Sequence, residues 1–186
     1  MTELPPDERR TALIVAVRAE ALVDDFRRRH RDFAFERGVP PHVTVLFPFA
    51  PAASVGDGMR AELAAHFSGL APFAAELTEV AQFDVAVWLA PRPRDRFVDL
   101  IAATCARFPD YPPYGGEFPE PEPHLTVAEL SDRSEKIGDS VERVVERARV
   151  VLGPGLPFAF RVDAVTLLEE QGDGNWRESC RFGLGL

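Results

Sequence analysis

Residues Pro41-His42-Val43-Thr44-Val45 occur a second time, with one conservative change, as Pro123-His124-Leu125-Thr126-Val127. Farther along, Pro72-Phe73-Ala74 recurs as Pro157-Phe158-Ala159; Phe73 follows His42 by 31 residues and Phe158 follows His124 by 34. Two matches in the same order at nearly the same spacing read as an internal duplication, so a fold for this chain has to use one supersecondary unit twice. Each copy reads strand, helix, strand carrying the histidine, helix, then a strand opened by Pro-Phe-Ala. The expectation is an α+β fold: two lobes of antiparallel-rich sheet, flanked by helices, around a central cleft. It forms a single bilobal domain over residues 1–186, with repeat halves at about 11–82 and 83–186.

The elements follow from pattern. Thr11 to Arg18 is a continuous apolar run suited to a buried strand, and Leu22, Phe26 and His30 then recur at helical spacing. Gly38-Val39-Pro40-Pro41 breaks the chain before a strand at His42–Phe49. Met59, Leu63, Phe67 and Leu70 mark a helix, and Phe73–Val80 and Val85–Ala90 read as strands. A helix carrying Phe97, Ile101, Cys105 and Phe108 leads into a proline- and glycine-rich loop, Pro109–Pro123, and then a strand at His124–Leu130. Asp139 with Glu142 has the spacing of a capping box before a helix whose apolar face is Val141, Val144, Val145, Ala148 and Val151. Phe158–Glu169 and Trp176–Gly183 alternate like two antiparallel strands joined by a hairpin at Gly172-Asp173-Gly174-Asn175.

Composition narrows the partners. A net charge of −9 argues against a protein that coats long nucleic acid, because phosphate contacts need a basic surface; a small phosphorylated ligand is compatible with it. The longest early apolar run, Ala12 to Val17, falls far short of the roughly 20 residues that cross a bilayer. The acidic, proline-bearing start is unlike a secretory leader, and two cysteines without CxxC spacing suit a reducing compartment. The expected protein is therefore a cytoplasmic monomer with no membrane partner.

In a strand, residues i and i+2 share a face. His42 and Thr44 thus point one way and Val43 and Val45 the other, and His124 and Thr126 are set against Leu125 and Val127 in the same manner. If the two lobes face each other, one groove holds two imidazoles and two hydroxyls. That set suits phosphodiester chemistry. One neutral imidazole takes a proton from water, the other, protonated, gives one to the leaving oxygen, and hydroxyls hold the phosphate oxygens where charge accumulates. No cofactor is called for, and neither HExxH nor a Cys/His cluster offers a metal site.

The pair His42-Val43-Thr44 and His124-Leu125-Thr126 resembles the 2H phosphoesterase superfamily, named for its two HxT motifs, and in particular its bacterial 2′-5′ RNA ligase-like members. The resemblance extends over nearly the whole chain through length, duplication and strand order. It implies metal-independent action on 2′,3′-cyclic phosphates or related cyclic phosphodiesters of a nucleotide, RNA end or nucleotide-sugar, with 2′-5′ joining of RNA ends in some members. It also implies His42 as general acid, His124 as general base, and Thr44 and Thr126 as phosphate ligands, although a near-symmetric site can run in either direction. Ligase-like relatives often carry an arginine three residues after the second threonine; here that position is Glu129, and Glu117, Glu120 and Glu122 precede His124. Both features favour a small substrate over long RNA. The alternative function is a nucleotide- or phosphate-binding sensor on the same fold, without turnover.

Other residues are weighed around these motifs. Tyr114 and Phe118, in the loop before the second motif, either stack on a base or cover the core. Strand parity from Thr44 turns Phe47 away from the cleft, so it is expected in the core, as are Trp88 and Trp176. Arg37 reads as a solvated loop residue, and His30 and His66 as structural.

Overall fold

Strand β1 (Thr11–Ala16) is buried on both faces, which is why its sequence is apolar without alternation. Leu13 and Val15 face the main core, whereas Ala12 and Ile14 face a small cluster with Leu168 and Trp176. The computed structural model describes residues 5, 8–30, 32–118, 121–130 and 140–185. Within it the strands form two four-stranded sheets, all of whose neighbours are antiparallel.

The first sheet has the order β2 (His42–Leu46), β1, β7 (Ala164–Glu170), β8 (Trp176–Gly183). The second has the order β5 (Leu125–Glu129), β4 (Ala86–Arg92), β3 (Phe73–Gln82), β6 (Phe158–Val162). Each HxT segment therefore lies on an edge strand, beside the first strand of its own copy. The sheets do not coincide with the sequence halves: β3 joins the sheet of the second motif, and β7 and β8 return to the sheet of the first. The two Pro-Phe-Ala segments pair with each other, Phe73 opposite Val162 and Leu77 opposite Phe158, a ladder that is unchanged when the segments are exchanged.

Among the described residues, five helices cover the sheets. Helix α1 (Glu20–Arg29) packs against β5, and α4 (Arg94–Arg107) packs against β2, so each motif strand rests on the helix of the other copy. Helix α3 (Asp57–Ser68) lies on β8, and α5 (Val141–Leu152) on β3 and β4. A short α2 (Phe33–Glu36), not anticipated from periodicity, is N-capped by Asp32, whose carboxylate accepts from the Phe35 amide at 2.8 Å. Among the described residues, no helix is long and apolar enough to cross a membrane.

Two expectations about elements change. The run Phe158–Glu169 is two strands, because the chain leaves one sheet and enters the other at Asp163; alternation shows which side chains share a face but not which partner strand is taken. The buried face of α5 is Val144, Val145, Ala148 and Leu152, while Val151 is exposed. That helix starts after Ser140, and the Asp139 cap lies outside the described residues. The hairpin falls where expected. Gly174 has a φ of 78°, and a Cβ there would meet the Arg37 guanidinium, so both the turn and a close approach require glycine.

Candidate active site

Proline and strand edge together set up both histidines. His42 opens β2 and His124 directly precedes β5, and in both motifs the histidine and threonine are half-buried while the residues between and after them are buried. Each ring is held by the same contact. Nδ1 of His42 donates to the Pro40 carbonyl at 2.8 Å, and Nδ1 of His124 donates to the Glu122 carbonyl at 2.7 Å. A carbonyl can only accept, so in the neutral ring the proton sits on Nδ1 and Nε2 keeps its lone pair. β2 and β5 pack against each other, and a charge on His124 is felt at His42.

The electrostatics separate the two rings. Desolvation drives the His42 pKa down to about 4, with the Arg27 guanidinium and His124 pushing the same way and the Pro40 carbonyl opposing. His124 is lowered as well, again by burial, but the Glu122 carbonyl and carboxylate pull it back. Glu122 is itself held below the usual carboxylate range, chiefly by Arg94, whose guanidinium reaches both carboxylate oxygens at 2.6–3.0 Å. His42 is the more strongly neutral imidazole; His124 is the one with an anion beside it.

Tyr114 and Phe118 reach the site in different ways. The backbone N–H of Tyr114 donates to the Phe47 carbonyl at 2.6 Å, its φ is 51°, and its hydroxyl is hydrogen-bonded to Thr44. The ring of Phe118 packs on that of Tyr114 at 5.6 Å and is 56% exposed, so it does not cover the core. Thr126 lies opposite Trp88 in the β4–β5 ladder.

Parity misplaced Phe47. The β1–β2 register slips between Leu13 and Ile14, which face Leu46 and Thr44, so Val45 is an extra residue in β2. Val45 and Leu46 are both buried in the main core, and Phe47 emerges on the face of Thr44, where it lines a cavity with His42. The two tryptophans are buried, as expected, but on the faces of their sheets that carry the histidines. Trp176 packs edge-on to Phe47 at 6.0 Å, and Trp88 lies 5.9 Å from the His124 ring. Arg37 is not a solvated loop residue: it lines the same cavity and donates from Nη1 to the Gly174 carbonyl at 2.7 Å. Phe83, Phe33 and Arg10 were not singled out by sequence, since nothing in a turn phenylalanine or a terminal arginine marks a site before the sheets are assembled. His30 packs on Phe26, and His66 packs on Phe67 and Phe108. Among the described residues, no three His, Cys, Asp or Glu side chains are placed to share a metal ion.

Comparison with known proteins follows the same lines. Residues 15–174 match the sequence profile of the family described as the 2′-5′ RNA ligase superfamily. The chain belongs to that superfamily. No curated relative matches the sequence. Among solved structures, Escherichia coli LigT complexed with NADP+ is similar at 20% identity and a TM-score of 0.60, covering 96% of this chain and 98% of that one. LigT complexed with 3′-AMP is similar at 16% and 0.59, covering 98% and 100%, and TT0787 of Thermus thermophilus at 16% and 0.59, covering 94% and 97%. At these identities the likeness is one of fold. Within the superfamily frame, Glu129 stands out: at the end of β5, partial desolvation together with the Asp32 carboxylate pushes its pKa up. An acidic group thus occupies the place where an arginine was expected from the resemblance.

Proposed function

We propose that this protein hydrolyses a cyclic phosphodiester of a small nucleotide, of the 2′,3′-cyclic phosphate type, by two-histidine acid–base catalysis without a metal. The observation that carries the reading is the matched pair of imidazoles, each with Nδ1 tied to the carbonyl two residues before it and each at the head of one of two edge strands that pack together. The LigT structures hold NADP+, 3′-AMP and ATP, which supports a small nucleotide for this chain too.

The field in the cleft supports roles opposite to those implied by the resemblance. His42, kept neutral, takes the proton of the attacking water through Nε2 as the water oxygen bonds to phosphorus. The bond from phosphorus to a ribose oxygen breaks, and that oxygen receives the proton of His124. Thr44, held by Tyr114, and Thr126 donate to the non-bridging oxygens, where charge accumulates.

A panel of nucleoside 2′,3′-cyclic phosphates, assayed with and without EDTA, tests this reading; product should form at the same rate in both. A chain that binds these compounds and releases no product would instead be a sensor. The pH profile of kcat/KM follows from the two rings. Activity rises with pH as His42 loses its proton near 4, and falls as His124 loses its own below the ordinary 6.5, so the optimum lies on the acidic side of 6.5. An optimum well above 7 would show that substrate-free electrostatics do not govern the proton transfers.

A further inference from the structure

The two sides of the cleft are built alike in backbone and differently in side chains. Beside His124, the position opposite Thr126 is Trp88, and Phe83 packs on that indole at 5.0 Å and 31° between planes. Both rings also lean on His124, at 5.1 and 5.9 Å, so two aromatic rings flank this histidine. Beside His42, the position opposite Thr44 is Ile14, a smaller side chain, and a cavity of about 220 Å³ opens there. Ile14 lines it, together with the Phe47–Trp176 pair and with Arg37 stacked on Phe33.

The charges in this cavity do not cancel. Arg10 also lines it, but its guanidinium makes a two-pronged ion pair with the buried Glu170, at 2.9 Å to each oxygen. Glu170 feels the field of Arg37 as well, yet among the described residues Arg37 forms no ion pair. Its guanidinium is held by the Gly174 carbonyl at one nitrogen and by the Phe33 ring at 4.8 Å, leaving further N–H donors in a fixed position. In a chain of net charge −9, a half-buried and oriented guanidinium in an apolar, aromatic-walled cavity is suited to an anion carried on a flat apolar group.

We infer that this cavity seats the nucleoside of the substrate and that Arg37 recognises a second phosphate on it, remote from the one that reacts. The inference rests on the phosphodiesterase reading for the position of the reacting phosphate, but the cavity and its charge do not depend on turnover. Phe83 and Trp88 pack on His124, whereas the cavity adjoins His42, so recognition is one-sided: the leaving ribose oxygen faces His124, while the base and its remote phosphate extend sideways into the cavity.

The test compares adenosine 2′,3′-cyclic phosphate with the same compound carrying a 5′-phosphate. Wild-type protein should prefer the 5′-phosphorylated substrate by about tenfold in kcat/KM, the size expected of one charge-assisted contact. Arg37→Gln should collapse that ratio toward one and Arg37→Lys should restore part of it, whereas a purely structural role would slow both substrates equally. Titration calorimetry with 3′-AMP and adenosine 3′,5′-bisphosphate reads the same preference without chemistry. Tighter binding of the bisphosphate with no turnover of any cyclic phosphate would keep the cavity assignment and reject the enzyme. Equal kcat/KM for the two substrates in the wild type, with equal affinities for the two products, would overturn the role of Arg37.

Discussion

Alanine at His42 or at His124 should each lower kcat/KM for a 2′,3′-cyclic nucleotide by about 10²–10⁴, with the fold intact. The fold survives because both rings are only half-buried and each is anchored by one hydrogen bond, to the Pro40 and the Glu122 carbonyl. The two losses should differ in their pH dependence. Without His42, the rise on the acidic limb disappears, because the base that titrates near 4 is gone. Without His124, the fall on the alkaline limb goes instead. The double variant should be little worse than the worse single one, since proton removal and proton delivery belong to one concerted displacement. Full activity in both single variants would reject the two-histidine mechanism. Exchange of the two limbs would restore the acid and base roles implied by the family resemblance.

Asp32→Ala should destabilise the protein by about 3–5 kcal/mol, read from urea unfolding. Arg27 and Asp32 are each 1% exposed, with Nη2 of Arg27 3.4 Å from Oδ1 of Asp32 and 3.1 Å from the Val39 carbonyl. Removing the carboxylate strands a guanidinium in the interior with only the half-exposed Asp24 near it, and uncaps α2. Burial pushes the Asp32 pKa up in spite of Arg27, so the buried pair carries a desolvation cost. Replacing both residues with apolar ones, as in Arg27→Met with Asp32→Ala, should therefore cost less than Asp32→Ala alone. Two additive losses would show that the residues do not act as a pair. Because Arg27 holds the Val39 carbonyl just upstream of Pro40, Asp32→Ala should also loosen His42 and reduce turnover.

The two HxT pairs and the face they share were legible from local rules. Parity along a strand placed His42 with Thr44 and His124 with Thr126, and the structure has both pairs half-buried against buried Val43, Val45, Leu125 and Val127. The surroundings were not legible in the same way. Phe47 was misplaced because one extra residue at Val45 resets the alternation, and a bulge is set by the partner strand rather than by its own sequence. Trp88, Trp176 and Arg37 read as core or solvent because a buried strand and a loop look the same whichever side of a sheet they meet.

The repeat, the two HxT pairs proposed as the catalytic groups and the α+β class follow from the sequence, since periodicity and duplication are properties of the chain itself. The exchange of β3, β7 and β8 between sheets, the cavity beside His42 and the aromatic pair beside His124 were decided only in three dimensions. The physical reason is that a pattern of apolar and polar residues says which face of an element is buried. Which other element buries it, and what room is left over, depends on contacts between residues far apart in the chain.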